Sequence, residues 1–316
     1  MDLSTFSQKT ETIKAEAAKA LIGQQKMLDL LLTALFARGH VLIEGVPGVA
    51  KTLTSRLMAA ITESDFKRIQ FTPDLMPSDI LGTSIFNLKE QNFEYKKGPV
   101  FANLVLIDEI NRAPAKTQAS LFEVMEEKQV TNDGIVYPME GIFMVIATQN
   151  PVEQEGTYKL PEAQLDRFLF KINVDYPTLE EEQQILELIN KQDGFKKLAF
   201  IEKVLSKEEV AGIQEFIGGI LIKPDLLKYI ATLVQHTREH PSLYLGASPR
   251  ASIDLMNASR AFAAIKGRDY TTPEDIQYLL RPVIEHRVVL TPEAELQGVT
   301  LEEISRQIIQ QVEVPK

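Results

Sequence analysis

The sequence contains no cysteine and no long apolar run. Without cysteine there are no disulfides, no thiol catalysis and no cysteine-ligated metal site. No apolar run approaches the roughly 18 residues of a membrane-spanning helix. The first ten residues, MDLSTFSQKT, lack the apolar core of a signal peptide. We therefore predict a cytoplasmic protein without a membrane span.

The chain also has fewer basic than acidic residues. The chain has 34 lysines and arginines against 44 acidic residues, a net charge of -10. The overall field of such a protein does not attract nucleic acid, so we expect no nucleic-acid partner. With 316 residues, the chain is long enough for about two domains.

One stretch, EGVPGVAKT (44–52), nearly matches the phosphate-loop pattern G-x-x-x-x-G-K-[ST]. It follows an apolar run of strand length, HVLIE, and precedes a helical pattern, TLTSRLMAAIT. Strand, glycine-rich loop and helix are the context that a phosphate loop requires. We predict that this loop binds ATP through Gly45, Val46, Pro47, Gly48, Val49, Ala50, Lys51 and Thr52. The alternative is a tight turn in a Rossmann-like protein that binds no nucleotide.

Ala50 departs from the pattern, because a second glycine usually stands there. Position 50 is at the predicted helix start, where a helical φ would suit alanine. Lys51 supplies a cation toward the β- and γ-phosphates, and Thr52 supplies a hydroxyl to Mg²⁺. The loop therefore predicts a working nucleotide site.

Three further runs are apolar along nearly their whole length: NLVLIDE (103–109), FMVIATQN (143–150) and FLFKINV (168–174). Such strands are typical of a parallel sheet covered by helices on both faces, with ligands beyond the carboxyl ends. Asp108, Glu109 and Asn150 should then converge near the loop. Asp108 would hold Mg²⁺, and Glu109 would orient or deprotonate the attacking water.

The pattern becomes helical after Tyr176-Pro177. Capping boxes begin at Thr178, Ser206 and Thr300, and Ser248-Pro249 and Thr272-Pro273 predict two more helix starts. We predict an α/β nucleotide-binding domain over 1–177 and a smaller all-helical lid domain over 178–316.

In order, these motifs resemble the MoxR family of AAA+ ATPases over nearly the whole chain. EGVPGVAKT is similar to the phosphate loop of that family, in which alanine before the lysine is common. LVLIDEINRA resembles its Walker B segment, and VIATQNP resembles its sensor 1 strand, with Asn150 as the sensor. LPEAQLDRF resembles its arginine-finger segment, with Arg167 as the finger, and GASPRA resembles its sensor 2 segment, with Arg250 as the sensor.

The resemblance implies a P-loop NTPase core with ATP and Mg²⁺ as cofactors, and hydrolysis of ATP to ADP and phosphate at subunit interfaces. It also implies a homo-oligomeric ring, usually a hexamer, with chaperone-like remodelling or maturation of client proteins. Proteins with von Willebrand factor A domains are frequent partners. Arg167 would act across a subunit boundary, and Arg250 could reach the γ-phosphate and couple lid position to nucleotide state. Arg112 is a second candidate for contact with a neighbour.

The resemblance also places adenine contacts at Ile22 and Gly23, where a plain helix–helix turn is an equally good interpretation. In relatives, hairpins such as those expected at 86–98 and 130–140 face the ring pore or the client. Ordinary surface hairpins are the alternative, and Phe86, Phe93 and Tyr95 fit either client contact or packing.

Other functions remain open on the same core. One is a nucleic-acid-dependent AAA+ motor, which the negative charge disfavours. Another is a nucleotide-gated binding module with negligible hydrolysis, which Glu109 and Arg167 disfavour. A small-molecule kinase would leave the lid and the finger segment unexplained.

Overall fold

A computed structural model describes residues 3–46, 48–150, 157–191 and 201–315. Its strands are β1 (Val41–Gly45), β2 (Phe66–Gln70), β3 (Gly82–Asn87), β4 (Asn92–Lys97), β5 (Leu104–Asp108), β6 (Gln129–Asn132), β7 (Ile135–Pro138), β8 (Met144–Gln149), β9 (Phe170–Val174), β10 (Leu243–Leu245) and β11 (Val289–Leu290). Five of them form one parallel sheet in the order β2-β5-β8-β1-β9. The predicted parallel sheet is thus confirmed.

Helices surround this sheet and make up most of the second half of the chain. They are α1 (Leu3–Ala18), α2 (Gln25–Phe36), α3 (Lys51–Ile61), α4 (Pro77–Leu81), α5 (Ala115–Glu127), α6 (Glu162–Leu165), α7 (Leu179–Lys191), α8 (Lys207–Gly218), α9 (Pro224–Glu239), α10 (Pro249–Ile265), α11 (Pro273–Ile284), α12 (Pro292–Leu296) and α13 (Leu301–Gln311). In the part of the chain that the structure describes, none of these helices is both long enough and apolar enough to span a bilayer.

Alternate residues of the central strands pack on opposite faces of the sheet. Val41 and Ile43 of β1 belong to a hydrophobic cluster that includes residues of α1, α2 and the later helices. Leu42, between them, belongs to a second cluster with residues of α5. A strand buried on both faces needs apolar side chains at every position, which explains the continuous apolar runs.

The strand β2 was not predicted. It lies at the edge of the sheet, and of its residues FKRIQ only Ile69 is buried. The other four residues of this strand are partly or fully exposed, so it shows no apolar run. Its position matters for the site, because β2 pairs with β5 and brings Gln70 level with Asp108.

The two predicted hairpins are present, with shifted bounds. β3 pairs with β4 from Gly82 to Lys97, and β6 pairs with β7 around Asp133-Gly134. The hairpins also contact one another, because the Tyr95 and Tyr137 rings lie 4.4 Å apart. Tyr95 is therefore a packing residue in part. Phe86 and Phe93 pair with each other and stay half or more exposed.

Among its described residues, the second half is helical, as predicted, apart from a short ribbon in which β10 pairs with β11. The capping boxes at Ser206 and Thr300 form, and Ser248 caps α10. Helices of this half share one continuous hydrophobic cluster with α1, α2 and the sheet. The division at 177/178 stays a prediction.

Candidate functional site

The loop after β1 turns into α3 at the carboxyl edge of the sheet. Gly45 is required there, because a Cβ would lie 2.7 Å from the carbonyl oxygen of Val174. Gly48 has φ +89°, a conformation that favours glycine. Val49 is buried and anchors the loop in the core, and Val46 packs against the same cluster. Pro47 lies outside the described residues.

The backbone at Ala50 differs from the helical conformation that the sequence predicted. Its φ is +61° and its ψ is 17°, so it is left-handed and not helical. It is the N-cap of α3, and its carbonyl accepts the Thr54 N–H at 2.9 Å. The expectation of a helical φ was wrong, because the chain must reverse before the first helical residue, Lys51. A glycine would adopt this conformation without the cost that a Cβ imposes.

Lys51 lies over the loop and beside carboxylates from neighbouring strands. Its Nζ donates to the Gly45 carbonyl at 2.6 Å. Partial burial lowers the pKa of Lys51, and the negative charges of Asp108, Glu109 and Glu44 oppose that shift. The loop and the end of β5 are therefore electrostatically coupled. Thr52 follows in the first turn of α3, half-buried.

Thr148, at the end of β8, joins the two predicted carboxylates. Its hydroxyl donates to Asp108 Oδ1 at 3.2 Å and accepts the Glu109 N–H at 3.1 Å. Glu109 is held in the left-handed region, at φ +56°. Such strain is found where the surrounding structure fixes a functional side chain. Asn150 directly follows β8 and is buried, between the carboxylates on β5 and the loop after β1.

Side chains from β2, the strand that was not predicted, contact both carboxylates at the carboxyl ends of the strands. Arg68 Nε lies 2.5 Å from Asp108 Oδ2, and Gln70 Nε2 donates to Glu109 Oε2 at 2.9 Å. Arg112 Nε lies 2.9 Å from the same Glu109 oxygen. Arg68 and Gln70 were not singled out in the sequence, whereas Arg112, expected as a candidate for contact with a neighbour, here pairs with Glu109 of its own chain. FKRIQ neither alternates nor forms an apolar run, so the sequence carries no signal for this strand.

The donors at this edge fit Mg²⁺ bound with a nucleotide. Among the described residues, no three His, Asp or Glu side chains are grouped so that they could hold a metal by themselves. Mg²⁺ at nucleotide sites commonly takes one or two protein ligands, with phosphate oxygens and water completing the shell. Asp108 and Thr52 supply a carboxylate and a hydroxyl of the required hard-oxygen type.

Ile22 and Gly23, the residues predicted to contact adenine, lie near the carboxyl ends of the strands. The turn before α2 lies against the start of α7, the helix that follows the carboxyl end of β9. Gly23 has φ +75°, and a Cβ there would lie 2.6 Å from the Glu181 carboxyl carbon on α7. Ile22 is half-buried beside it. A cavity of about 400 Å³ also opens here, between Gly45, Val46 and the segment 173–176.

The two predicted arginines lie at the opposite edge. Arg250 Nη1 is 3.0 Å from Glu126 Oε2 at the end of α5, and Arg167 Nε is 3.6 Å from the same oxygen. The Arg167 guanidinium also lies 6.0 Å from the Phe122 ring. Both arginines line a cleft of about 200 Å³ with His40, the residue before β1.

This location separates the arginines from the loop that follows β1 in the same chain. His40 precedes β1 and Lys51 follows it, and a five-residue strand spans about 16 Å. Arg250 and Arg167 therefore lie at the amino end of β1, whereas Lys51 follows its carboxyl end. The cleft also contains Arg38 and Lys128, so four cations face two carboxylates, Glu126 and Asp254.

Known proteins resemble the chain in sequence and fold. The model of the ATPase family associated with various cellular activities (AAA) matches residues 40–170, and that of an AAA lid domain matches residues 235–308. The YeaC protein of Bacillus subtilis is 49% identical, over 94% of this chain and 92% of its own. Chaperone MoxR1 of Mycobacterium tuberculosis is 42% identical, over 95% and 81%.

A crystal structure shows the same architecture. It is that of a candidate ATPase from Cytophaga hutchinsonii, which is 43% identical to this chain and superimposes with a TM-score of 0.92. The likeness covers 99% of this chain and 97% of the crystallised one.

Proposed function

The chain belongs to the MoxR family of AAA+ ATPases, and from that premise we propose that it hydrolyses ATP at sites completed by a neighbouring copy. One observation carries the proposal. The loop with Lys51 and the arginines Arg167 and Arg250 occupy opposite edges of one sheet. A second copy that places its arginine edge against the loop of the first would supply the missing cations.

Within one chain, the loop edge would bind and orient the substrate. Loop N–H groups and Lys51 would hold the phosphates at the positive end of α3. Thr52 and Asp108 would hold Mg²⁺, which neutralises charge on the phosphates when bound. Glu109 would accept a proton from the attacking water or orient it, and Asn150 would fix the position of that water.

The neighbour would stabilise charge that develops on the transferred phosphoryl group. Arg167 would act as the finger, a role worth about 10³ to 10⁵ in rate. Arg250 would act beside it from the lid of the same neighbour. Each lid would then respond to the nucleotide of the next subunit and not to its own.

We further propose a ring, hexameric as in the family, that remodels client proteins in the cytoplasm. The name Chaperone MoxR1, borne by a 42% identical relative, supports a chaperone-type role. Clients with von Willebrand factor A domains are the first to test. The exposed Phe86 and Phe93 on the β3–β4 hairpin would contact the client.

The decisive experiment measures ATP hydrolysis per subunit against protein concentration. Compared variants are Arg167→Ala, Arg250→Ala and the control Arg306→Ala, an exposed arginine on α13. We expect the natural rate per subunit to rise with concentration. It should fall about 10³-fold in Arg167→Ala while nucleotide binding survives, and it should be unchanged in Arg306→Ala. A rate independent of concentration and of Arg167 would refute the shared site.

A further inference from the structure

Arg287 is a buried cation that the chemistry described so far does not use. It lies just after α11, and its side chain is 1% exposed. Its Nη2 donates to the Phe168 carbonyl at 2.7 Å and to the Asp166 carbonyl at 3.1 Å. One guanidinium of the lid therefore holds the main chain on both sides of Arg167.

Two carboxylates neutralise this arginine from different elements. Nε lies 2.8 Å from Asp166 Oδ1, and Nη2 lies 2.5 Å from Asp254 Oδ2 on α10. Nη1 donates to the Val283 carbonyl of α11 at 3.0 Å. Arg287 thus ties α10 and α11 to the segment 166–168.

His286, the preceding residue, provides a second contact to the same segment. Its Nε2 donates to the Phe168 carbonyl at 2.7 Å. Burial, together with the charge of Arg287, lowers the pKa of His286 well below its ordinary value, so the ring is neutral. The carbonyl after Arg167 therefore accepts hydrogen bonds from two adjacent lid residues.

Asp166 links this contact to Arg250. Its carboxylate accepts the Ser248 hydroxyl at 2.9 and 3.2 Å, and that hydroxyl accepts the Arg250 N–H at 3.2 Å. Arg287, Asp166 and Ser248 therefore connect the two arginines that face Glu126. The connection runs through the protein interior, behind the exposed guanidinium groups.

We propose that Arg287, assisted by His286, is a positioning residue that sets the finger Arg167 and the lid arginine Arg250 in one fixed geometry. The proposal rests on the proposed function, in which both arginines serve a neighbour's nucleotide. Buried ion pairs add little to stability over apolar packing of similar volume, but they can fix one arrangement. Displacement of a catalytic group by about 1 Å can cost about 10²-fold in rate.

The test uses Arg287→Lys, which keeps a buried cation but cannot span both carboxylates and both carbonyls. We expect hydrolysis by this variant alone to fall about 10²-fold, with nucleotide binding to its own loop unchanged. Arg268→Lys is the matched control, because Arg268 makes a similar two-point pair with Asp275 elsewhere in the lid. It should keep the natural rate.

Mixing Arg287→Lys with Glu109→Gln distinguishes a displaced Arg167 from general damage to the fold. Arg287→Lys would retain an intact loop and Glu109, while Glu109→Gln would retain intact arginines. In a random 1:1 ring, roughly a quarter of the interfaces would combine the two intact halves. We therefore expect mixing to restore up to that share of the natural rate, although neither variant is active alone.

Two results would overturn the inference while the shared site stands. One is a natural rate in Arg287→Lys. The other is failure of Glu109→Gln to rescue Arg287→Lys when it does rescue Arg167→Ala. If Arg167→Ala itself hydrolyses normally, the shared site fails and this inference fails with it. Should Arg287→Lys lose nucleotide binding, His286→Leu replaces it, because that change adds no buried charge. The same rescue is then required.

Discussion

Arg250 Nη1 reaches both carboxylate oxygens of Glu126, at 3.0 and 3.2 Å, across the junction of α10 and α5. Arg167 lies against the same carboxylate. One acidic side chain therefore holds both arginines that the proposed function assigns to a neighbour's nucleotide. All three side chains are between 31% and 39% exposed. Water screens such a cluster, so it holds the arginines in place without adding much stability.

Glu126→Gln should release Arg167 and Arg250 from their carboxylate partner with little loss of stability. Because exposed pairs contribute about 0 to 1 kcal/mol, we expect the urea midpoint to change only slightly. The carboxylate competes with phosphate for the two cations, so its loss should lower the protein concentration that gives half the maximal rate per subunit. Glu123→Gln on the same helix is the control. A rate as low as that of Arg167→Ala would show instead that Glu126 orients the arginines productively.

Asp108→Asn should weaken the dependence of ATP binding on Mg²⁺. The carboxylate is the charged protein ligand proposed for the ion, and a neutral amide binds Mg²⁺ less well. ATP affinity measured with Mg²⁺ and with EDTA should differ for the natural protein and converge for the variant. Asp65→Asn is the matched control, since Asp65 forms a surface pair with Lys207 at the other edge of the sheet. Equal Mg²⁺ dependence in Asp108→Asn would contradict this role.

Ala50→Gly should stabilise the protein, because position 50 is left-handed. Glycine adopts that conformation without steric cost, so we expect a gain of about 0.5 to 1 kcal/mol in the free energy of unfolding. The control Ala119→Gly lies exposed within α5 and should lose about 1 kcal/mol. Urea denaturation measures both. A loss in Ala50→Gly would mean that its methyl contact with the core outweighs the backbone strain.

Acid should destabilise the fold through His40. Burial lowers the pKa of this histidine from 6.5 to about 4. The unfolded chain therefore binds more protons than the folded one between these two values, and stability falls as the pH falls through that window. From pH 7.5 to 5.5 the loss from His40 is about 1.3 kcal/mol. The lowered pKa of His286 acts in the same direction.

Urea midpoints at pH 7.5, 6.5 and 5.5 would measure this slope. His40→Gln removes one titrating group and should flatten it, although the variant loses contacts to the Met125 carbonyl and the Val145 N–H. A slope that is identical in the variant and the natural protein would show that His40 does not titrate as described.

Local features could be predicted from the sequence because local rules govern them. Central strands buried on both faces must be apolar at nearly every position, which revealed β1, β5 and β8, and the run FLFKINV revealed β9 at the edge of the sheet. A side-chain oxygen three residues before a glutamate caps a helix, which revealed the starts at Ser206 and Thr300. The edge strand β2 follows no such rule. Arg68 and Gln70 were missed with it, because their role depends on the strand that lies beside them.

The sequence by itself determined the family and the central strands, and it predicted the phosphate loop, because each of these parts is contiguous in the chain and obeys local rules. Only the tertiary structure decided where the arginines go. Helix α10 packs against α11, α9 and α2, and the pair between Arg250 and Glu126 of α5 holds Arg250 at the edge opposite Lys51. The buried Arg287 joins it to Arg167. Such contacts link residues more than 80 positions apart, and no pattern along the chain specifies them.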